Sequence, residues 1–572
     1  MDAVAPGENA RRVLEARYFL RDARGRLVED FEGMCARVAA AVAEGERGAG
    51  GDPGSWRERF AALLRERVFL PNSPTLMNAG TPDGQLSACF VLPVEDTLES
   101  IFEAAKRMAR VHCSGGGTGF AFSKLRPAGD SVGERAGVAS GPVAFLQVFD
   151  AATGAVKQGG RRRGANMGVM RVDHPDVLAF ARCKREADRV TNFNLSIATT
   201  DAFWRAAESG ADFALRHPHD GRVVERVSAS ALLDEFASCA WATGDPGVLF
   251  LDAIERDNPT PALGALEATN PCGELPLLPN ESCNLGSLRL PAFARGGRID
   301  WEQLAAVTAV ALRFLDDVIE VSRYPDAEID RATHGNRKLG LGVMGFADLL
   351  VDLGIPYDAP EAAGVADAVA ARIRAAAEDA TRALAAERGA FPNFERSRFA
   401  GGPPRRNATL TSIAPAGTLS ILADCSAGIE PYYALALERH VLDGAVLSER
   451  VARFEDALGR AGAARPELLA EVARSGRARG VAGVPESVQR LFPTAADIAP
   501  ERHLDVQQAF QRHVDNAVSK TINLPHAATP ADVRAIYLSA WRRGLKGVTV
   551  FREGGKGVAV LHRGLEAPER DD

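Results

Sequence analysis

Apolar residues recur with a helical period over residues 10–68, interrupted between Glu44 and Ser55, where a Gly-Gly-Asp-Pro-Gly run ends any helix. From Phe69 the pattern changes. Short apolar runs at Val91-Leu92-Pro93, Gly119-Phe120-Ala121-Phe122, Met167-Gly168-Val169-Met170 and Asn194-Leu195-Ser196-Ile197 read as strands and alternate with helical stretches. Leu304, Val307, Ala311, Leu315 and Val318 share one face of a buried helix over 302–321, and an Ala-rich helix over 361–388 is closed by Gly389. This alternation predicts an α/β architecture with parallel pairing. Two Gly/Pro/Arg-rich stretches, 399–406 and about 461–499, read as surface insertions, and the last dozen residues are polar.

Composition narrows the function classes. The 572 residues are 46% hydrophobic and 25% charged, which is globular, and 68 basic against 75 acidic residues leave a net charge of −7. There is no basic excess of the kind that nucleic-acid binding needs. No apolar stretch approaches the roughly 20 residues that span a bilayer, and the N-terminus lacks a basic start followed by an apolar run, so a cytoplasmic chain is expected. None of the eight cysteines forms a C-x-x-C pair, so no zinc site of the usual spacing is expected. Cys35, Cys183 and Cys239 lie in apolar-periodic helical stretches and read as small buried hydrophobes.

Four motifs carry candidate chemistry. Gly340-Leu341-Gly342-Val343-Met344-Gly345 matches G-x-G-x-x-G but has Asn336-Arg337-Lys338 before it and a helical pattern after it, so tight helix packing is expected rather than a dinucleotide site. Gly115-Gly116-Gly117-Thr118-Gly119 is either a flexible turn or a place where backbone approaches a ligand closely. Thr411 to Ser420 reads as strand, turn and helix start; its free N–H groups suit an anion, and its plain reading is capping by Thr418 or Ser420. The sharpest is Asn270-Pro271-Cys272-Gly273-Glu274, which sets a cysteine on a stiff loop with a carboxyl two residues on. A nearby carboxylate raises a thiol's pKa, so the neutral S–H suits hydrogen-atom chemistry better than thiolate chemistry.

At these residues the chain resembles ribonucleotide reductases, most closely the adenosylcobalamin-dependent class. The resemblance runs from about Glu15 to about Val560. It includes Phe69-Leu70-Pro71-Asn72-Ser73-Pro74-Thr75-Leu76-Met77-Asn78-Ala79-Gly80, Ser87-Ala88-Cys89-Phe90, the stretch Lys157 to Gly168, the Asn270 to Glu274 motif, and His513 to Pro525. It implies a ten-stranded α/β barrel with an internal finger loop over 69–560, a helical N-terminal segment over 1–68 and a polar tail over 561–572. Cys272 would be the thiyl at the finger tip and take the 3′ hydrogen of the ribose. Glu274 would be the general base on the 3′-hydroxyl, Asn270 would hold the substrate hydroxyls, and Cys89 and Cys283 would supply two electrons and become a disulfide. Ser73, Ala88, Gly117 and the turn Pro415, Ala416, Gly417, Thr418 and Leu419 resemble substrate contacts. Asp96, Thr97, Leu98 and Arg126 resemble contacts to a dNTP effector, with Lys157, Gln158 and the residues to Arg163 forming the loop that reports its identity.

The same resemblance implies adenosylcobalamin as cofactor, no metal ligands in the chain, a homodimer, and a thioredoxin-like reductant or a separate cysteine-bearing chain, because no cysteine follows Cys425. It also implies that the family's overall-activity domain is absent. Ala416 stands where a hydroxyl residue is common, and Cys113 stands where no thiol is expected. A large subunit fed by a metal-containing subunit is the nearest alternative, and a non-catalytic nucleotide-binding paralogue the second. The first needs two adjacent tyrosines near the C-terminus, yet Gly547-Val548-Thr549-Val550-Phe551-Arg552 has none, and Tyr432-Tyr433 read as barrel packing.

Overall fold

The computed structural model describes residues 5–132, 137–158, 162–185, 189–441, 445–555 and 561–565. Three helices open the chain: α1 (Glu8–Arg17), α2 (Phe31–Ala43) and α3 (Pro53–Arg65). Asp30 starts α2 by accepting the Gly33 N–H at 2.8 Å, and Asp52 does the same for α3, whose first residue is Pro53. Met34, Cys35 and Val38 of α2 and Phe60 and Leu64 of α3 are buried in one core. The interruption expected at 44–55 is narrower, because Glu44–Ala49 winds into a 3-10 turn. A second one, between Tyr18 and Asp30, was not foreseen: Arg21 pairs with Leu27 in a bridge, and Gly25 supplies the positive φ of its turn.

Ten strands form one sheet: β1 (Phe69–Pro71), β2 (Cys89–Val91), β3 (Gly117–Ala121), β4 (Asn166–Arg171), β5 (Phe193–Thr199), β6 (Gly247–Phe250), β7 (Ser282–Arg289), β8 (Leu339–Met344), β9 (Thr521–Leu524) and β10 (Gly547–Arg552). β2 to β6 run parallel in sequence order. β7 and β8 form a second parallel pair, and β9 and β10 a third. Antiparallel contacts join these groups, with Cys283 opposite Cys89 between β7 and β2 and Val248 opposite Val548 between β6 and β10. β1 lies antiparallel along β7. Parallel bridges from Leu341 to Thr411 and from Ile413 to Val518 carry the ring from β8 round to β9, so the sheet closes into a barrel. The outer side is covered by helices including α4 (Leu98–Cys113), α5 (Pro142–Ala155), α6 (Trp301–Val321) and α7 (Pro360–Arg388).

Inside the barrel stands a short hairpin, Ala268–Thr269 paired with Pro276–Leu277. Its Ala268, Leu275 and Leu277 pack with Cys89, Val91, Met167, Val169, Ala198, Leu249 and Leu285, which are inward-facing residues of β2, β4, β5, β6 and β7. The expected finger loop is therefore present, and glycine makes room for it. A Cβ on Gly119 would run into the Thr269 carbonyl, and one on Gly117 would meet Pro271. The Gly-rich stretch is thus a place of close backbone approach. The other glycine motif is corrected: Gly340 and Gly342 lie in strand β8, where a Cβ on Gly342 would strike the Ser412 carbonyl, so they clear a neighbouring strand and not a helix.

The N-terminal helices are tied to the barrel by buried charges. Glu46 accepts from Arg313 at 2.6 and 2.8 Å and pairs with the Arg388 guanidinium 2.7 Å away, while Asp316 and Asp317 of α6 hold Arg337, Arg388 and Arg406. Arg406 thereby belongs to this network and Arg405 is buried, so the stretch 399–406 is not simply a surface insertion. The stretch 461–499 is not one either. Short amphipathic helices at Pro466–Ser475 and Glu486–Leu491 bury Leu468, Val472 and Val488 alongside Phe492.

A Cβ at position 119 has only finger backbone to displace. Gly119→Ala is expected to lower unfolding free energy by about 1–3 kcal/mol, as overpacking does. Gly364→Ala, in α7 with open space around it, is expected to be neutral or stabilising by up to about 1 kcal/mol. Denaturant titration of the two variants checks the contrast.

Candidate active site

The finger's turn is set by its own amide residue. Asn270 accepts the Leu275 N–H on its side-chain oxygen at 3.0 Å, and Gly273 N–H returns to Asn270 O at 3.1 Å with Gly273 at φ +81°. Three contacts fix the turn to the barrel wall. Asn194 on β5 donates to Pro271 O at 2.8 Å, Ser412 Oγ donates to Glu274 O at 2.9 Å, and Ala517 N–H donates to the same carbonyl at 2.8 Å. Cys272 is exposed at the tip between these anchors and lines a cavity of about 880 Å³.

Behind the tip, Asn270 Nδ2 lies 3.1 Å from Cys89 Sγ, and Cys89 sits in register with Cys283 on the adjacent strand. Both thiols are buried, and burial, reinforced at Cys89 by Glu274, pushes both well above the ordinary thiol range. Cys283 Sγ donates to the carbonyl of Lys338 at 3.3 Å. The Lys338 ammonium reaches Glu281 at 2.6 Å, and both are buried. Glu274 is buried as well. Its Oε2 has no hydrogen-bond partner among the described residues, and burial raises its carboxyl to about 7 against the opposing pull of Asn270. Five residues from three separate stretches of chain, Cys89, Asn270, Cys272, Glu274 and Cys283, thus gather around one finger loop.

The cavity lies on one side of that loop. Besides Pro271, Cys272 and Gly273 it is lined by Asn194 and Ser196 of β5, Leu249 of β6, Thr521 of β9 and Phe551 of β10, whereas Cys89, Asn270, Glu274 and Cys283 do not line it. Tyr432 and Tyr433 border it; Tyr432 is buried and donates to Asp348 at 2.7 Å. The cavity exceeds the bulk of a nucleotide and lies within the range of ligand pockets. Its size and the exposed thiol at its edge fit a large cofactor lying beside Cys272.

The expected substrate contacts divide. Gly117 N–H donates to Ala88 O at 2.8 Å, and Gly117 also faces Pro271, so these two flank the finger. The Ser73 and Tyr18 hydroxyls are hydrogen-bonded at 2.8 Å, and Pro415 lines the cavity. The turn leads into helix α8 (Gly417–Ala423), whose N-cap is Ala416 in the left-handed region at φ +54°. No side chain caps it, so capping by Thr418 or Ser420 does not occur. Leu419 is buried in the core and offers only its backbone to a ligand. Arg67 and Arg289 donate to the carbonyls of Leu422 and Ala423 and hold the far end of α8.

On the outer face, Asp96 accepts Arg126 Nε at 2.6 Å and the Arg126 N–H at 3.1 Å, and Thr97 caps α4. Leu98 is exposed beside them. Lys157–Gln158 pairs with Arg162–Arg163 in a two-stranded hairpin, while residues 159–161 lie outside the described residues. Cys113 is exposed at the end of α4, apart from the finger. Sequence reasoning missed Asn194, Glu281, Lys338, Glu430 and Lys520. The signal for the lysines was a charged residue standing directly before an apolar strand, at Lys338-Leu339 and Lys520-Thr521-Ile522.

Among the described residues no helix is long and apolar enough to cross a membrane. Residues 4–84 match the family model of the ribonucleotide reductase all-alpha domain, and residues 87–404 and 403–551 match that of the ribonucleotide reductase barrel domain. The vitamin B12-dependent ribonucleoside-diphosphate reductase of Mycobacterium tuberculosis is 52% identical over 565 residues, covering 97% of this chain and 80% of the relative. The protein of the same name from Thermoplasma acidophilum is 45% identical, covering 91% of this chain and 68% of its own. The vitamin B12-dependent ribonucleotide reductase of Streptomyces clavuligerus is 30% identical, covering 90% and 62%. With both family models matched across nearly its whole length and a finger loop carrying Cys272 inside a ten-stranded barrel, the chain belongs to the ribonucleotide reductase family.

Proposed function

We propose that this chain reduces ribonucleoside diphosphates to deoxyribonucleotides with adenosylcobalamin as radical source. The observation that carries the reading is the division at the finger loop. Cys272 faces a large cavity, while the two buried, paired thiols stand on the other side with a carboxyl and an amide between. The names of the relatives at 52% and 45% identity support the cofactor and the diphosphate substrate. Adenosylcobalamin bound in the cavity beside Cys272 would supply the acceptor for that thiol's hydrogen atom. The chain's own residues then act in sequence. Cys272 gives up its hydrogen atom and takes the 3′ hydrogen of the ribose. Glu274, with an unsatisfied oxygen, accepts the 3′-hydroxyl proton, and the 2′-hydroxyl leaves as water. Cys89 and Cys283 provide two hydrogens and join as a disulfide, and Cys272 returns the 3′ hydrogen. The balance is one ribonucleotide and two thiols to one deoxyribonucleotide, one disulfide and one water. Enclosure in the barrel keeps solvent from the radicals.

In this reading Ser73, Ala88, Gly117 and the N–H groups of the 415–419 turn hold the substrate. Asp96, Thr97, Leu98, Arg126, Lys157 and Gln158 hold a dNTP effector. Leu98, Phe102 and Val148 on α4 and α5, which are 61%, 53% and 37% exposed, supply an apolar face for a homodimer. Residues 7–10, at the start of the helical N-terminal segment, border the cavity. A thioredoxin-like protein or a separate cysteine-bearing chain is the reductant. The chain works in the cytoplasm.

Cys272→Ala is expected to abolish deoxynucleotide formation while substrate affinity, measured by equilibrium binding, stays within about twofold, since the thiol contributes little to binding. Steady turnover in that variant overturns the reading. The pH dependence follows from Glu274. A base with its carboxyl at about 7 is mostly protonated at pH 6 and mostly ionised at pH 8, so kcat/KM should rise about tenfold between them. Glu274→Gln should erase that limb and lower the rate by at least about 100-fold. A wild-type profile flat over this range contradicts the role.

A further inference from the structure

The cavity wall carries a buried ion pair that the mechanism above does not use. The Lys520 ammonium is 0% exposed and donates to Glu430 Oε2, while Thr521 N–H donates to Glu430 Oε1 at 2.8 Å. His503 Nδ1 lies 3.1 Å from the same ammonium and Nε2 lies 3.2 Å from Ala495 O, so the ring is the neutral tautomer with its proton on Nε2. Tyr357 stands behind, its ring centre 5.9 Å from the ammonium. Burying such a pair is costly in desolvation and adds little net stability. Here it sits at the margin of a cavity, with Glu430 24% exposed and both residues lining the space.

The geometry defines what the carboxylate is free to bind. Each oxygen already accepts one protein donor, which leaves about half of its lone-pair positions for a ligand. Lys520 cancels the charge, so the pair does not attract a phosphate. A fixed, neutralised carboxylate with two adjacent acceptors matches two adjacent hydroxyl donors. Its position is equally constrained. Ala517 N–H holds the finger at Glu274 O, and Thr521, which holds Glu430, is four residues further along the chain, so the Glu430 carboxylate stands within roughly 20 Å of the finger's root. It belongs to the cavity that Cys272 borders and that Cys89, Asn270, Glu274 and Cys283 do not. Resting on the cofactor reading above, we propose that Glu430, held by Lys520 and Thr521, binds the vicinal ribose hydroxyls of the cofactor's adenosyl group and so keeps that nucleoside beside Cys272.

The test compares binding of adenosylcobalamin with that of methylcobalamin, which lacks the nucleoside, followed by absorption or tryptophan fluorescence without turnover. Wild-type protein should prefer adenosylcobalamin. The double variant Glu430→Ala/Lys520→Met, which leaves no buried charge unpaired, should lose about tenfold of that preference, the worth of a hydrogen bond to a charged group. Its affinities for methylcobalamin and for the ribonucleotide should stay within about twofold. A second measurement needs no variant: an adenosylcobalamin with 2′,3′-dideoxyribose should bind wild-type protein about tenfold more weakly than the parent. An unchanged preference in the double variant, equal affinity for the two adenosylcobalamins, or a loss confined to the ribonucleotide overturns the role of Glu430. If neither cobalamin binds wild-type protein, the cofactor reading fails and takes this assignment with it.

Discussion

The close main-chain approach of the finger loop to strand β3 is the constraint on which the rest depends. Thr269 and Pro271 can occupy the barrel centre only because positions 119 and 117 carry no side chain. Once there, the loop is fixed by Asn194 from β5, Ser412 from the segment bridging β8, and Ala517 from the segment before β9. These anchors come from different sides of the ring, so the position of Cys272 is set by barrel closure itself. A hydrogen-atom transfer has little tolerance for misplacement, and attachment to several rigid strands supplies that precision better than a surface loop.

The finger then divides the interior into two environments. On one side, burial keeps the Cys89 and Cys283 thiols protonated and lifts Glu274 toward neutrality, so hydrogens and a proton acceptor stand ready at neutral pH without charged sulfur. On the other side, the cavity is walled by β5, β6, β9 and β10, with Glu430 and Lys520 at its margin. Cys272 belongs to both. The outer charge network of Glu46, Asp316, Asp317, Arg313 and Arg388 ties the N-terminal segment to α6 and α7, and residues 7–10 at the start of α1 border the cavity.

Local pattern was enough to find much of this. The run Met167–Met170 falls inside strand Asn166–Arg171, and the Ala-rich helix ends at Arg388 before Gly389, because strand and helix periodicity are properties of neighbouring residues. The Asn270 to Glu274 motif was legible because Pro and Gly around a cysteine have few other uses. The cavity was not legible, since Asn194, Glu430 and Lys520 meet only through barrel closure and no neighbour of Asn194 signals an acceptor 77 residues away. The stretch 461–499 was misread because its Gly, Pro and Arg content hid two short amphipathic helices whose apolar faces complete the core at Phe492. The Gly340 motif was misassigned because the partner it clears, Ser412, belongs to a strand segment about 70 residues on.

The central claim is that the radical reaches Cys272 from a cofactor in the adjacent cavity and not along a path from another subunit. Phe551 lies on the cavity wall, in the tyrosine-free stretch Gly547–Arg552 that the resemblance matches to the end of such a path, and the buried Tyr432 is committed to Asp348. The most direct measurement is deoxynucleotide formation by the purified chain given adenosylcobalamin, ribonucleoside diphosphate and a small dithiol, with no second protein. The account predicts sustained turnover in air that stops when adenosylcobalamin is omitted. A chain that stays inactive under these conditions and makes product only when a metal-containing partner protein is added contradicts it.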